Sequence, residues 1–268
     1  MPRIRLDKLL VKMKIAESED EAVSLIESGS ILVNGSLQKS PSSAVDSGSA
    51  VTFVKSKPKY VSRAGFKLEA ALENFQLDPK DKRCLDIGTS TGGFTDCFLQ
   101  HGAKEVVSVD VGHGQIDDSL RQNSHVKLFE KTNAKNIDQT LVGGLCQLGA
   151  VDVSFTSVIP LLPSIFSCLS PKELVVLIKP QFELPPKYIN IKGIVQEASS
   201  HRVCIETFLQ ELPGEIVACE LIPSPIIGTQ GNLEFLCLLK EKSLPSSKVS
   251  GSKIKEVVEQ AHEMRKIL

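Results

Sequence analysis

Short apolar runs alternate with segments of helical spacing along most of the chain after residue 60. A short continuous apolar run is typical of a strand that is buried on both faces. Such runs lie near 83–88, 105–111, 125–129, 148–155, 173–179, 214–222 and 232–239. Strands that alternate with helices favour a mainly parallel sheet with helices on both faces. The last two runs are joined by a loop, so the pattern predicts an α/β fold that ends in an antiparallel hairpin.

The first 59 residues have a separate pattern. Apolar residues at helical spacing predict a helix near 6–13. Ser18 and Glu21 have the spacing of a capping box and predict the start of a second helix, which Gly29 ends. Asn34-Gly35 between two apolar runs predicts a hairpin with a type I′ turn. A further strand is expected at 51–54, so this segment should form a small α+β unit.

Polar stretches divide the chain into three parts. Residues 55–59 are a basic, proline-bearing linker that closes the unit 1–59. The α/β domain is expected to occupy 60–242. A polar linker begins at 243, and apolar residues at helical spacing predict a terminal helix over 253–268. The sequence leaves open whether this helix packs on the main domain or contacts a partner.

Composition narrows the class of protein. The chain has 268 residues and a net charge of −1, so no global basic field indicates nucleic acid. Its seven cysteines form no Cys-x-x-Cys pair, which favours free thiols in the reducing cytoplasm over disulfides or a metal site. The chain has no apolar run of membrane-spanning length, and its charged beginning is unlike a signal peptide. We therefore expect a cytoplasmic protein.

A glycine-bearing turn follows the first strand of the α/β domain. Asp86 and Gly88 lie where the strand should end, and Gly92 and Gly93 lie where a helix should begin. Asp110 closes the second strand, where an acid can hold ribose hydroxyls. The spacing matches neither the dinucleotide fingerprint nor the phosphate loop. It therefore favours a ligand with a ribose and no phosphate, such as S-adenosylmethionine, although a turn with no ligand is also compatible with it.

Basic residues crowd the beginning of the chain, whereas acids follow from residue 17. We expect one basic face on the first helix that could follow a phosphate backbone. A solvated helix face is the alternative. The basic residues are Arg3, Arg5, Lys8, Lys12 and Lys14.

Four charged residues stand in apolar surroundings: Lys67, Asp152, Lys179 and Glu234. Asp152 and Lys179 end neighbouring predicted strands, so both should face the ligand crevice. Because an unpaired buried charge is costly, the four residues are expected to pair with one another. The spacing by itself is equally compatible with a catalytic cluster and with structural ion pairs.

Two resemblances add to this interpretation. About the first 55 residues resemble the S4 RNA-binding domain, through the motifs Arg-Leu-Asp-Lys-Leu-Leu and Ala-x-x-Leu-Ile-x-x-Gly-x-Ile-x-Val-Asn-Gly. Several motifs of the α/β domain are similar to the TlyA (haemolysin A) family: Val-Ser-Arg-Ala-Gly-Phe-Lys-Leu, Asp-Ile-Gly-Thr-Ser-Thr-Gly-Gly-Phe-Thr-Asp, Asp-Val-Ser-Phe and Ile-Lys-Pro-Gln-Phe-Glu. That family joins an S4 domain to an FtsJ-like ribose 2′-O-methyltransferase of class I architecture.

The TlyA resemblance implies roles for individual residues. The order Lys67, Asp152, Lys179, Glu234 matches the catalytic tetrad of FtsJ-like enzymes, with Lys179 as the expected base. The implied S-adenosylmethionine-binding residues are Asp86, Gly88, Thr89, Ser90, Gly92, Gly93, Asp110, Asn133 and Asp152. The implied RNA-binding residues are Arg3, Arg5, Lys8, Lys12, Lys14 and Arg63. His113 and Lys135 stand where the family commonly has Tyr and Arg, so neither is assigned a role.

The implied activity is methylation of a ribose 2′-hydroxyl, in cytidine, with ribosomal RNA or ribosomal subunits as the partner. A non-catalytic RNA-binding or ribosome-assembly factor and a membrane-active haemolysin are the alternatives. No strongly amphipathic basic stretch supports pore formation. The sequence does not indicate the oligomeric state, the modified nucleotide or the ribosomal subunit.

Overall fold

A computed structural model describes residues 3–38, 40–53, 59–228, 231–244 and 248–267. The chain divides into two compact units, Met1–Lys59 and Tyr60–Leu268. Most of the predicted linker at 55–59, and part of the one that begins at 243, lie outside the described residues. In the described part of the chain, no helix is both long and apolar enough to cross a membrane.

The first unit packs two helices on short strands. The helices are α1 (Leu6–Lys12) and α2 (Glu19–Glu27). The strands are β1 (Arg3–Arg5), β2 (Ile31–Val33), β3 (Ser36–Leu37), β4 (Ala44–Asp46) and β5 (Val51–Phe53). Strands β3, β2 and β5 form one sheet in that order, and β1 pairs with β4 in another. Leu6, Leu10, Ile26 and Ile31 are fully buried between the helices and the strands, so this unit has a core of its own.

Local signals in this unit gave the expected structures. The Ser18 hydroxyl accepts a hydrogen bond from the Glu21 amide at 3.1 Å, and the Glu21 carboxylate accepts one from the Glu17 amide at 2.6 Å. Asn34 and Gly35 have φ angles of 51° and 80°, as a type I′ turn requires. The capping box and the hairpin are therefore confirmed.

The placement of three basic residues was wrong. Lys14 lies beyond the end of α1 at Lys12, in a turn with a φ of 57°. Arg3 and Arg5 lie in strand β1 and not on the first helix, which begins at Leu6. Their strand is stabilised by antiparallel pairing with β4, whose register joins Arg3 to Asp46. Since this partner lies some 40 residues away, the apolar periodicity near residue 6 could not indicate the strand.

The second unit contains one seven-stranded sheet. Its strands are β6 (Arg83–Ile87), β7 (Glu105–Val109), β8 (Val126–Phe129), β9 (Leu148–Val151), β10 (Glu173–Ile178), β11 (Ile216–Pro223) and β12 (Phe235–Glu241). The order across the sheet is β11-β12-β10-β9-β6-β7-β8. The β10–β9, β9–β6, β6–β7 and β7–β8 pairs are parallel, whereas β12 runs antiparallel to both neighbours. The predicted α/β sheet with its late hairpin is confirmed, and it is the sheet of class I methyltransferases.

Helices cover both faces of the sheet. They are α3 (Ala64–Asn74), α4 (Gly93–Gln100), α5 (Asp118–Arg121), α6 (Leu162–Ser167), α7 (Pro180–Glu183), α8 (Ala198–Gln210) and α9 (Gly251–Ile267). Helices α3 and α4 pack on one face around Leu68, Leu72 and Phe98. Helices α6, α8 and α9 contribute to the core of the other face. Along each buried strand, successive side chains enter opposite cores, as a two-faced sheet requires.

The terminal helix packs on the second unit. Ile254, Val257, Val258 and Ala261 are buried in the same core as α8 and β11. An amphipathic pattern is the same whether its apolar face meets the parent domain or a partner, which is why the sequence left this point open.

Candidate active site

The carboxyl ends of the parallel strands meet at one edge of the sheet, and polar residues follow each of them. Asp110 follows β7, Asp152 follows β9, and Lys179 follows β10. Because β12 runs the opposite way, it begins at this edge, directly after Glu234. The position expected for Asp152 at the end of its strand is confirmed, although the apolar pattern ran on to Phe155 and β9 ends at Val151. Glu234 was expected inside the last strand, which instead begins at Phe235, so Glu234 also stands at the edge where ligands bind in open α/β sheets.

A cavity of about 500 Å³ opens at this edge. Five predicted cofactor residues contribute to its wall: Gly88, Ser90, Asp110, Asn133 and Asp152. The other lining residues are Ile87, Val109, Val111, Gly112, Gln115, Thr132, Ala134, Lys135, Val153, Ser154, Phe155, Thr156 and Leu161. Its mix of apolar walls and a few convergent polar groups is typical of a small-molecule site.

Gly88 brings the backbone of the first loop against the wall of the cavity. Its φ angle is 84°, and a Cβ at this position would overlap the backbone carbonyl of Asp152. Its amide donates a hydrogen bond of 2.8 Å to the carbonyl oxygen of Val109. No residue with a side chain fits both the conformation and the space, so glycine is required here.

Asp110 is held by two backbone amides. Its Oδ2 accepts a hydrogen bond from the Ser90 amide at 2.6 Å, and its Oδ1 accepts one from the Gly112 amide at 2.6 Å. The carboxylate thereby fixes two loops that line the cavity. A carboxylate oxygen has two lone pairs, so both oxygens can still accept hydrogen bonds from a ligand.

The start of helix α4 packs closely against two other segments of the chain, near Leu120 and near Ser62. Gly92 precedes it with a φ of 98°, and a Cβ there would overlap the Leu120 side chain. A Cβ at Gly93 would overlap the hydroxyl of Ser62. That hydroxyl is buried and has no hydrogen-bond partner in the part of the chain that the structure describes. Sequence reasoning missed Ser62, although its position shortly before the helix that carries Lys67 was an available signal.

Asp86 is the penultimate residue of β6 and is completely buried. Its Oδ2 accepts a hydrogen bond of 2.6 Å from the Thr95 hydroxyl, whereas its Oδ1 has no hydrogen-bond partner among the described residues. Burial raises the pKa of the Asp86 carboxyl to about 7, against the opposing effect of the Thr95 hydroxyl. Asp152 and Asp110 raise this pKa further, because their charges disfavour a third carboxylate.

Two predicted cofactor residues support the loops around the cavity. Thr89 is buried, and its hydroxyl lies 3.4 Å from the carbonyl oxygen of Asp86. Asn133 is exposed, and its side-chain oxygen accepts a hydrogen bond from the Lys135 amide at 2.9 Å. Asn133 thus starts a short turn at the cavity wall, whereas the Thr89 side chain is directed into the protein.

Two ion pairs stand beside the cavity. Lys67 Nζ lies 2.5 Å from Glu234 Oε2, with side chains 12% and 3% exposed. Lys179 Nζ lies 2.5 Å from Asp152 Oδ1 and donates a hydrogen bond of 2.8 Å to the Ser154 hydroxyl. The expected pairing of the four charges is therefore confirmed.

Strand register brings these two pairs together. In the β10–β12 ladder, Ile178 stands opposite Phe235. One step further, beyond the ends of both strands, Lys179 follows Ile178 and Glu234 precedes Phe235. The antiparallel arrangement thus sets Lys179 and Glu234 side by side, although they are far apart in sequence.

An exposed aromatic residue stands next to the pairs. The Phe155 side chain is 91% exposed, and its φ angle of 64° is rare for a residue with a bulky side chain. Its ring centroid lies 5.2 Å from that of Phe182, and Lys179 Nζ lies 5.9 Å from the Phe182 ring. Sequence reasoning assigned Phe155 to the end of a buried strand and missed it as a site residue.

The predicted RNA-binding residues are at the surface. In the first unit, Arg3, Lys8, Lys12 and Lys14 are exposed, whereas the Arg5 guanidinium pairs with Asp7 at 2.5 Å. In the second unit, Arg63 is exposed immediately before α3. The two unassigned residues also lie at the surface: His113 contacts Glu130 at 2.8 Å, and Lys135 lines the cavity.

Known proteins share this organisation. The S4 domain model matches residues 4–51, and the FtsJ-like methyltransferase model matches residues 60–241. The chain is 36% identical to the 16S/23S rRNA (cytidine-2′-O)-methyltransferase TlyA of Mycobacterium tuberculosis H37Rv, covering 90% of this chain and 91% of that protein. It is 38% identical to hemolysin A of Brachyspira hyodysenteriae, covering 87% and 98%. A solved structure of a candidate hemolysin from Streptococcus thermophilus is 37% identical with a TM-score of 0.75, covering 100% and 98%.

The family match extends over most of the chain, and the relatives cover nearly all of it. The seven-stranded sheet, the glycine-bearing turn and the four paired charges all lie within the matched residues. The chain therefore belongs to the FtsJ-like methyltransferases, in the TlyA (haemolysin A) family that joins an S4 domain to the methyltransferase domain.

Proposed function

We propose that this protein methylates the 2′-hydroxyl of a cytidine ribose in ribosomal RNA, with S-adenosylmethionine as the methyl donor, in the cytoplasm. The observation that carries the proposal is the gathering of two buried ion pairs, Lys67–Glu234 and Lys179–Asp152, at the carboxyl edge of the sheet, where Asp152 also lines the cavity. Purely structural ion pairs have no reason to gather at the carboxyl edge of the sheet, where ligands bind. The rRNA (cytidine-2′-O)-methyltransferase activity of the TlyA relative supplies the substrate class.

The residues of the cavity fit S-adenosylmethionine. Asp110 would hold the ribose hydroxyls, and Gly88 would let the backbone approach the ligand. Asp86 Oδ1 and the Ser62 hydroxyl are buried polar atoms that lack a hydrogen-bond partner within the described ranges, and both lie near the start of α4. They would receive the methionine end, whose ammonium and carboxylate groups need an acceptor and donors. The chemistry supplied by bound S-adenosylmethionine is a methyl group on a positively charged sulfur.

Lys179 is proposed to accept the proton of the attacking 2′-hydroxyl at its Nζ. This nitrogen lies 2.5 Å from Asp152 Oδ1 and donates a hydrogen bond of 2.8 Å to the Ser154 hydroxyl. Orientation of this kind is a large part of catalysis, since it removes the entropy cost of aligning the base with the hydroxyl.

Lys67 and Glu234 are proposed to bind and orient the ribose. The Glu234 carboxylate accepts a hydrogen bond from Lys67 Nζ and stands beside Lys179 in the strand register. A carboxylate at this place can accept a hydrogen bond from a ribose hydroxyl, and the ammonium group of Lys67 can donate one.

Phe155 is proposed to stack on the base of the target nucleotide. An apolar ring that is 91% exposed has no structural reason to face water, and its ring lies close to Phe182, next to Lys179. Base–aromatic stacking stabilises single-stranded nucleic acid by about 1–3 kcal/mol per base. A nucleotide stacked on Phe155 would have left its helix, as base-modifying enzymes require.

The exposed basic residues of the S4 unit, with Arg63 of the second unit, are proposed to bind the RNA backbone. Phosphate contacts from Lys and Arg give affinity that falls steeply with salt. Arg5 should contribute less than Lys8 or Lys12, because its charge is already paired with Asp7.

The proposal is tested by incubating the protein with tritiated S-adenosylmethionine and ribosomal subunits from a strain that lacks the gene. We expect wild-type protein to label RNA, and Lys179→Ala to lose labelling while it still binds S-adenosylmethionine in calorimetry. Lys172→Ala is the matched control, since that lysine pairs with Glu241 near the other edge of the sheet. Full labelling by Lys179→Ala would refute Lys179 as the base, and RNA binding without labelling by wild type would favour a non-catalytic RNA-binding factor.

A further inference from the structure

A chain of three buried polar groups runs behind the glycine-bearing turn. The Thr95 hydroxyl lies 2.6 Å from Asp86 Oδ2 and 2.7 Å from the Ser108 hydroxyl. All three residues are completely buried. They belong to different elements, since Asp86 is on β6, Thr95 on α4 and Ser108 on β7. None of the proposed chemical steps uses Thr95 or Ser108.

The direction of these hydrogen bonds follows from counting protons. Among the described residues, Thr95 is the one hydrogen-bond partner of the Ser108 hydroxyl, so the Ser108 proton points to Thr95 Oγ1. The Thr95 proton then points to Asp86 Oδ2, which must act as an acceptor. This arrangement satisfies every proton of the chain only when Asp86 is an ionised carboxylate.

The surrounding charges act in the opposite sense. Burial raises the pKa of Asp86, and the carboxylates of Asp152 and Asp110 raise it further. The nearby lysines do not compensate, since Lys179 is bound to Asp152 and Lys67 is bound to Glu234. On α4, the Asp96 carboxylate accepts a hydrogen bond from the Val61 amide. Thr95 therefore favours the charged form of Asp86, through its hydroxyl first and its backbone amide second.

We propose that Thr95, supported by Ser108, is a positioning residue that keeps Asp86 ionised, so that Asp86 Oδ1 can accept a hydrogen bond from the ammonium group of the methyl donor. Oδ1 is buried and none of the described residues donates a hydrogen bond to it, so a donor from a ligand would complete its environment. This inference rests on the proposed function, because it takes Asp86 as part of the cofactor site. It adds two residues that act through Asp86 rather than by touching the ligand.

The experiment measures two quantities in the full-length protein. The first is the pKa of Asp86 without ligand, by ¹³C NMR of protein labelled at the aspartate carboxyl carbon, with Asp86→Asn to assign the signal. The second is the affinity for S-adenosylmethionine between pH 6 and 9, by calorimetry. The variants are Thr95→Val, which keeps the shape and removes the hydroxyl, Thr95→Ser, which restores it, and Ser108→Ala.

We expect Thr95→Val to raise the pKa of Asp86 by about one unit or more, since a lost hydrogen bond to a charged group has an effect of this order. At pH 7 its affinity for S-adenosylmethionine should fall about fivefold or more, because the ionised fraction of Asp86 falls from about one half to about one tenth or less, and most of the loss should disappear by pH 9. Thr95→Ser should behave like wild type, and Ser108→Ala should lie between the two. A merely structural role would weaken binding equally at every pH.

An unchanged pKa of Asp86 in Thr95→Val and in Ser108→Ala would overturn the inference. If Thr95→Val does not fold, Ser108→Ala decides the outcome by the same readout. Absence of S-adenosylmethionine binding by wild-type protein would refute the proposed function instead, and the titration of Asp86 would still report on Thr95 and Ser108.

Discussion

Replacing Lys67 by methionine should destabilise the protein far more than replacing an ordinary surface lysine. Methionine has nearly the same length and fills the same path, but it has no charge. The Glu234 side chain is only 3% exposed and would lose the ammonium group that lies 2.5 Å away. Breaking a buried pair by removing one partner costs about 3–5 kcal/mol, because the remaining charge is buried without compensation. That is a large part of the roughly 5–15 kcal/mol that keeps a typical domain folded.

The local packing gives Glu234 little room to relax. Gly228 lies so close to the carboxylate that a Cβ at that position would overlap Oε1. Glu234→Gln removes the negative charge and should cost less, since the Lys67 side chain is 12% exposed and can reach water. The double variant Lys67→Met/Glu234→Gln should be more stable than the sum of the single effects by about 1–3 kcal/mol.

Urea unfolding followed by circular dichroism measures these differences. Lys172→Met is the matched control, because Lys172 and Glu241 form a pair of similar distance, 2.7 Å, with side chains 37% and 32% exposed. Such an exposed pair contributes about 0–1 kcal/mol. If Lys67→Met costs no more than Lys172→Met, the argument that the catalytic charges depend on one another for their burial is wrong.

Three further outcomes follow from the structure. Gly88→Ala should weaken S-adenosylmethionine binding at least about tenfold in equilibrium dialysis, because a side chain there overlaps the cavity wall. The control Gly214→Ala, which adds a methyl group in open space, should bind normally. Equal affinities of the two variants would contradict the role of the turn. Phe155→Ala should lower kcat/KM for RNA about tenfold or more without changing S-adenosylmethionine affinity, and an unchanged kcat/KM would exclude stacking. Burial and the charge of His262 lower the pKa of His201 to about 4. The stability that is fully present above about pH 6.5 should therefore be lost as the pH falls toward 4, by on the order of 3 kcal/mol. Urea midpoints that stay constant over this range in wild type, or that fall equally in His201→Met, would contradict this expectation.

The sequence was sufficient wherever the signal was local. The capping box at Ser18 and the Asn34-Gly35 turn depend on hydrogen bonds and φ angles within a few residues, so their patterns predicted them directly. The sheet was equally predictable, because each strand that is buried on both faces must be a short apolar run. The pairing of Asp152 with Lys179 followed from the rule that neighbouring parallel strands end at the same edge.

The features of the fold and of the site that the sequence did not predict depend on contacts between distant parts of the chain. Strand β1 exists because Ala44–Asp46 pairs with it, and no pattern near Arg3 records that partner. The exposure of Phe155 depends on the strand ending at Val151, four residues earlier than its apolar pattern indicated. The Ser62 hydroxyl becomes a candidate for the site only because Gly93 packs against it.

The most direct test of the account is to map 2′-O-methyl groups on ribosomal RNA by mass spectrometry, in cells with the gene, without it, and with Lys179→Ala in its place. We predict that at least one methylated cytidine is present with the wild-type gene and absent in both other strains. Identical methylation in all three would contradict the claim that the charges joined at the rim of the cavity transfer methyl groups to ribose.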